Sequence, residues 1–67
     1  MMKLIINGNE KEFAHDMTLL AVLQALSLQD KVMAAAVNME IVKQDTWDKC
    51  RLNDGDKLEL LDFVGGG

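Results

Sequence analysis

The chain has little of what an enzyme acting alone would use: one histidine, one cysteine and no tyrosine in 67 residues. A single thiol, Cys50, excludes an intramolecular disulfide. His15 and Cys50 are too few to ligate a structural zinc ion. Basic residues are scarce as well. Seven Lys and Arg stand against eleven Asp and Glu, a net charge of −4, with no basic patch and no glycine-rich phosphate loop. Affinity for a phosphate backbone depends on clustered cations that release counterions, so no nucleic-acid partner is expected. Long apolar runs are missing too. The uncharged stretch from Met17 to Gln29 falls short of the roughly 20 apolar residues of a membrane helix. Met1-Met2-Lys3 leads into a short apolar run ended by Asn7-Gly8, which is not the pattern of a secretory leader. With one thiol and no leader, the expected location is the cytoplasm, with no membrane partner.

What is present is a well-patterned small domain. Apolar residues make up 49% and charged residues 27%, the balance of a soluble globular chain. A domain of this size buries only about 60% of the surface its unfolded chain exposes, so the core is thin. Leu4-Ile5-Ile6 and Glu12-Phe13-Ala14 flank Asn7-Gly8, a pair that tolerates the positive φ angles of a two-residue hairpin turn. Leu4 and Ile6 then face the core, and Ile5 faces away. Thr18 is placed to cap a helix in which Leu19, Val22, Leu23 and Leu26 form one apolar stripe. Leu28 continues the core contact.

From Val32 to Val42 the pattern is that of strands. Met33 to Val37 reads as a strand, Asn38-Met39-Glu40 as a turn and Ile41-Val42 as a short return. Gln44 to Lys49 reads as a helical turn or loop around Trp47, which packs against the sheet edge. Asn53-Asp54-Gly55-Asp56 is a turn, and Lys57-Leu58-Glu59-Leu60 alternates, with Leu58 and Leu60 inward. The order is strand, strand, helix, strand, short strand, turn, strand. That is an α+β fold with one helix packed on a four- to five-stranded mixed sheet. The chain finishes Val64-Gly65-Gly66-Gly67, three residues without side chains that add nothing to a core. Extended, Val64 to Gly67 spans at most about 13–14 Å, enough to enter another protein's cleft while the domain stays outside.

Val37-Asn38, Ile41-Val42, Trp47, Leu52, Asp54-Gly55-Asp56, Leu58-Glu59 and the Val-Gly-Gly-Gly ending together resemble the sulfur carrier family of thiamine biosynthesis, within the ubiquitin-like β-grasp fold. The resemblance implies a β-grasp domain over residues 1–63 and a flexible C-terminal glycine tail over 64–67. It implies that Gly67 is adenylated by an activating enzyme (ThiF-like) that uses ATP and Mg, while this chain binds no cofactor or metal. Sulfur from a persulfide, such as that of a cysteine desulfurase, then replaces AMP and leaves a C-terminal thiocarboxylate. Thiazole synthase (ThiG-like) takes that sulfur. On this account the chain is a co-substrate with no catalytic residue, and Val64, Gly65 and Gly66 carry Gly67 into the partner's active site. The chemistry fits a terminal carboxylate, which is ionised at pH 7 and exchanges oxygen for sulfur only after activation.

In a β-grasp sheet the first and last strands are neighbours. Ile5, Leu61 and Phe63 then form one outward apolar patch leading to the tail, a docking surface shared by both enzymes. Glu59 sits on the same face. With Asp54, Asp56 and Asp62 it makes the last third acidic, either a solvated face or a means of steering basic partners. Asp56 is placed equally well to serve its turn. Cys50 is read as structural and His15 as a surface residue. Three other functions remain open at this point: a carrier for another pathway, such as the small subunit of molybdopterin synthase; a ubiquitin-like protein modifier; and a β-grasp binding module with an inert tail.

Overall fold

The computed structural model describes residues 1–62. β1 (Met2–Ile6) and β2 (Asn9–Phe13) form the expected hairpin. Asn7 and Gly8 take φ of 49° and 86°, the turn whose twist matches that of the strands it joins. β1 starts two residues earlier than the Leu4–Ile6 run suggests. Alternation carries Met2, Leu4 and Ile6 to one face, and all three are buried. Ala14 lies just outside β2.

Helix α1 (Leu19–Ala25) is capped as expected: the Thr18 hydroxyl accepts the Ala21 N–H at 3.1 Å. Its other end closes through Ser27 at φ 59°, with Ser27 N–H donating to Gln24 C=O and Leu28 N–H to Leu23 C=O. Leu19, Val22 and Leu23 are buried; Leu26, just past the last turn, is half-buried, and Leu28 packs against the core.

β3 (Val32–Val37) and β4 (Glu40–Val42) form a second hairpin through Asn38 and Met39, at φ 50° and 72°. Glu40 opens β4 and is not part of the turn. Gln44–Lys49 is a short 3-10 helix whose Trp47 is buried and donates its Nε1–H to Val42 C=O at 3.0 Å. Trp47 thus fastens this segment to the sheet edge, as the sequence suggested. β5 (Lys57–Asp62) completes a five-stranded sheet of order β2-β1-β5-β3-β4, parallel between β1 and β5 and antiparallel elsewhere.

The core comprises Met2, Leu4, Ile6, Leu19, Val22, Leu23, Val32, Ala35, Trp47, Leu52 and Leu58. Leu60 packs against it half-buried, on the inward side of β5. The last strand in the chain therefore sits in the middle of the sheet, between two hairpins. Phe63, Val64, Gly65, Gly66 and Gly67, and with them the expected boundary between domain and tail, lie outside the described residues. Among the described residues, no helix is long and apolar enough to cross a membrane.

Candidate functional site

The candidate site is the outward face of the sheet, together with the strand that runs toward the terminal glycines. β1 and β5 are neighbours, as expected, but their register separates the residues assigned to one patch. Ile5 pairs with Lys57 and Ile6 with Leu58. Leu61 lies four residues farther along β5, about 13 Å at the usual rise of a strand. Ile5 is half-buried between Glu10 of β2 and Lys57. The single patch of Ile5, Leu61 and Phe63 is thus corrected: Ile5 is remote from Leu61, and Phe63 lies outside the described residues.

Leu61 instead faces β3. It pairs with Ala34, and in the next row Glu59 pairs with Ala36, which pairs in turn with Ile41 of β4. Ala35, Leu60 and Val42 fill the intervening row and point inward, so Leu61, Ala34, Glu59, Ala36 and Ile41 point outward. The register of β3 against β5 shifts between Val32 and Ala34, and Met33, the extra residue there, is exposed. Leu61, Met33 and Ile41 are 61%, 53% and 74% exposed, too much apolar surface for residues that serve the core. The outward face is thus divided. Over β2 and β1 it carries Glu10, Glu12 and Lys3, with Lys3 and Glu10 3.8 Å apart. Over the end of β5, β3 and β4 it is apolar, with Glu59 at the border.

Met33 and Ile41 were missed in the sequence. Ile41 had a signal, since it alternates with Val42. Met33 had none, because a bulge leaves no mark in the period.

The acidic residues of the last third divide as well. Asp56 is the one buried charged residue among the described residues. Its carboxylate accepts from Asn53 N–H at 2.8 Å and from Asn38 Nδ2 at 2.9 Å. Asp54 accepts the Lys3 N–H at 2.7 Å. Both belong to the framework; Glu59 is exposed, and the Asp62 side chain lies outside what the structure describes. Cys50 is half-buried, and its thiol is pushed above the ordinary cysteine range, first by burial and then by the Asp56 carboxylate nearby. It stays protonated near neutrality and is a poor nucleophile there. His15 is exposed, with Nε2 3.1 Å from the Met1 amino group. Among the described residues, no group of three or more His, Cys, Asp or Glu is placed to hold a metal ion.

Comparison with known proteins agrees with this architecture. The ThiS family model matches residues 4–67. A thiazole synthase of Paramagnetospirillum magneticum is 44% identical over 66 residues, which cover 98% of this chain but 20% of that protein. The sulfur carrier protein ThiS of Bacillus subtilis is 31% identical, with 92% of this chain and 96% of that one covered. The crystal structure of the thiamine biosynthesis protein ThiS from Geobacter metallireducens superposes with a TM-score of 0.82 at 30% identity, over 98% of this chain and 100% of that one. The family match spans nearly the whole chain and the solved fold agrees with it, so the chain belongs to the ThiS family.

Proposed function

We infer that the chain is a sulfur carrier for thiazole formation in thiamine biosynthesis. The observation that carries this reading is the family match over residues 4–67, which extends through Gly65-Gly66-Gly67. The central position of β5 supports it: the strand is held between β1 and β3 near its start, at Leu58, so a partner that grips the domain also grips a fixed strand near the C-terminal end.

The chemistry takes Gly67 as the carboxyl terminus. A carboxylate oxygen of Gly67 attacks the α-phosphorus of ATP and pyrophosphate leaves, giving an acyl adenylate. The outer sulfur of a persulfide then displaces AMP to give an acyl disulfide. Attack of a cellular or partner thiol on the other sulfur of that S–S bond releases the thiocarboxylate and leaves a disulfide. The thiocarboxylate is the donor used for the thiazole ring. ATP and Mg²⁺ belong to the adenylating enzyme, where the metal offsets phosphate charge. The carrier is consumed and regenerated as a co-substrate, and it works in the cytoplasm, where ATP and reduced thiols are available.

Two enzymes have to take hold of so small a carrier. The apolar half of the outward face, Leu61, Ala34, Met33 and Ile41 with Glu59 at its border, is the docking surface for both the adenylating enzyme and thiazole synthase. They consequently exclude one another, and a ternary complex on one carrier would refute this. The Paramagnetospirillum protein named thiazole synthase includes a region 44% identical to this chain, which favours thiazole synthase as the acceptor over a molybdopterin enzyme.

The test is tandem mass spectrometry of the protein incubated with an adenylating enzyme, ATP, a persulfide donor and a thiol reductant. The expected result is replacement of one oxygen by one sulfur, resolved by accurate mass and located on the C-terminal fragment. Accurate mass is required because the five methionines and Cys50 take up oxygen with the same nominal gain. An unmodified Gly67 would overturn the carrier reading. An isopeptide to lysine would assign the chain to protein modification instead.

A further inference from the structure

β1 supports β5 only as far as Leu58, because at Asn7 the chain turns away into β2. The last ladder bond of that pair is Asn7 N–H to Leu58 C=O at 2.9 Å. The next backbone groups of β5 on that side are the N–H and C=O of Leu60, and among the described residues no strand remains to meet them. The Asn7 carboxamide meets both. Leu60 N–H donates to Asn7 Oδ1 at 2.8 Å, and Asn7 Nδ2 donates to Leu60 C=O at 3.3 Å. One side-chain amide thus stands in for a peptide group and extends the sheet by one pair.

The position makes this contact consequential. Beyond Leu60 the described part of β5 is paired on its other side only, Leu61 with Ala34 and Asp62 with Val32, and the β3 register shifts between those two pairs. Regular pairing therefore ends near Leu60, and Asn7 is its last support on the β1 side. We propose that Asn7 is a positioning residue for the carrier reaction: it sets the direction in which β5 leaves the sheet and so aims the terminal glycine at the reacting phosphate. This inference rests on the carrier function proposed above. A root that is free to shift is costly in a reaction that depends on alignment of the attacking oxygen.

Two variants of the full chain test the assignment. Asn7→Gly keeps the positive φ of the turn and removes both side-chain bonds; Asn7→Asp keeps the acceptor for Leu60 N–H and loses the donor. Pyrophosphate release with a ThiF-like adenylating enzyme and ATP supplies kcat and KM for the carrier, and NMR hydrogen exchange reads the amides of β5. The expected result is a loss in kcat of about tenfold for Asn7→Gly, with KM within about twofold, a smaller loss for Asn7→Asp, and faster exchange confined to Leu60 and the residues after it. Unchanged kcat with faster Leu60 exchange would make the bond structural only. A rise in KM at constant kcat would make Asn7 a docking residue. Unchanged Leu60 exchange would remove the geometric basis. If Asn7→Gly does not fold, Asn7→Asp decides between these outcomes alone. Wild-type chain that releases no pyrophosphate would overturn the carrier reading itself, an outcome distinct from the other three.

Discussion

Asn38 and Asp56 lie 18 residues apart in sequence, yet the Asn38 carboxamide donates to the buried Asp56 carboxylate at 2.9 Å. The same carboxamide accepts Lys57 N–H at 3.0 Å, while Asn38 N–H donates to Lys57 C=O at 2.8 Å. Asn38 thus grips the start of β5 from one hairpin turn, as Asn7 grips Leu60 from the other. Removal of the carboxylate leaves Asn38 Nδ2 and Asn53 N–H without their acceptor. Hydrogen bonds to charged groups contribute about 1.5–3 kcal/mol, so Asp56→Ala is expected to destabilise by about 2 kcal/mol or more. At about 4–8 °C per kcal/mol for a domain of this size, the thermal midpoint falls by roughly 10 °C, measurable by circular dichroism.

Met39 occupies the second turn position of the β3–β4 hairpin at φ 72° and is 88% exposed. A side chain in that backbone region is strained, and here little packing offsets the strain. Met39→Gly relieves it and is expected to stabilise by about 1 kcal/mol. A thermal melt that is unchanged or lowered would show that the methionine contributes something the turn geometry does not reveal.

Leu61 and Ile41 are exposed on the apolar half of the sheet, so their polar substitutions separate docking from folding. Leu61→Ser and Ile41→Ser are each expected to raise KM for the carrier about tenfold with the activating enzyme, the cost of truncating an apolar anchor. Their melting midpoints stay close to wild type, since surface changes usually alter stability by no more than about 0.5 kcal/mol. Ile5→Ser is the control: it lies outside the apolar half, and its KM should not move.

Burial and the neighbouring Asp56 carboxylate push the Cys50 thiol upward. The thiolate is the reactive form, so alkylation by iodoacetamide at pH 7 should be slower than that of a free cysteine and should accelerate as the pH rises toward the raised value. Cys50→Ser should still acquire the C-terminal thiocarboxylate. Sulfur recovered on Cys50 and absent from Gly67 would reverse the assignment.

Much of the fold could be read directly, because local rules and the global fold agree. Asn7-Gly8, Thr18 ahead of its apolar stripe, and the Asp-Gly turn before an alternating strand each have one favourable conformation. The family resemblance was legible for a different reason: it lies in residues scattered over the second half of the chain, from Val37 to Gly67. The makeup of the outward face was less accessible. Side-chain alternation indicates which residues point away from the helix, but it does not say which of them are neighbours.

The residue pattern by itself determined the element order, the inward rows of β1 and β5, the helix cap and the Asn7-Gly8 hairpin turn, because these depend on contacts within a few residues of one another. Register decided the rest. Only the paired sheet places Ile5 beside Lys57 and away from Leu61, opposes Leu61 to Ala34, makes Met33 the extra residue of β3 and brings Asn7 to Leu60 across 53 positions. Such relationships follow from where strands distant in the chain slide to rest against one core. A shift of two residues would preserve every inward and outward side chain while changing every neighbour.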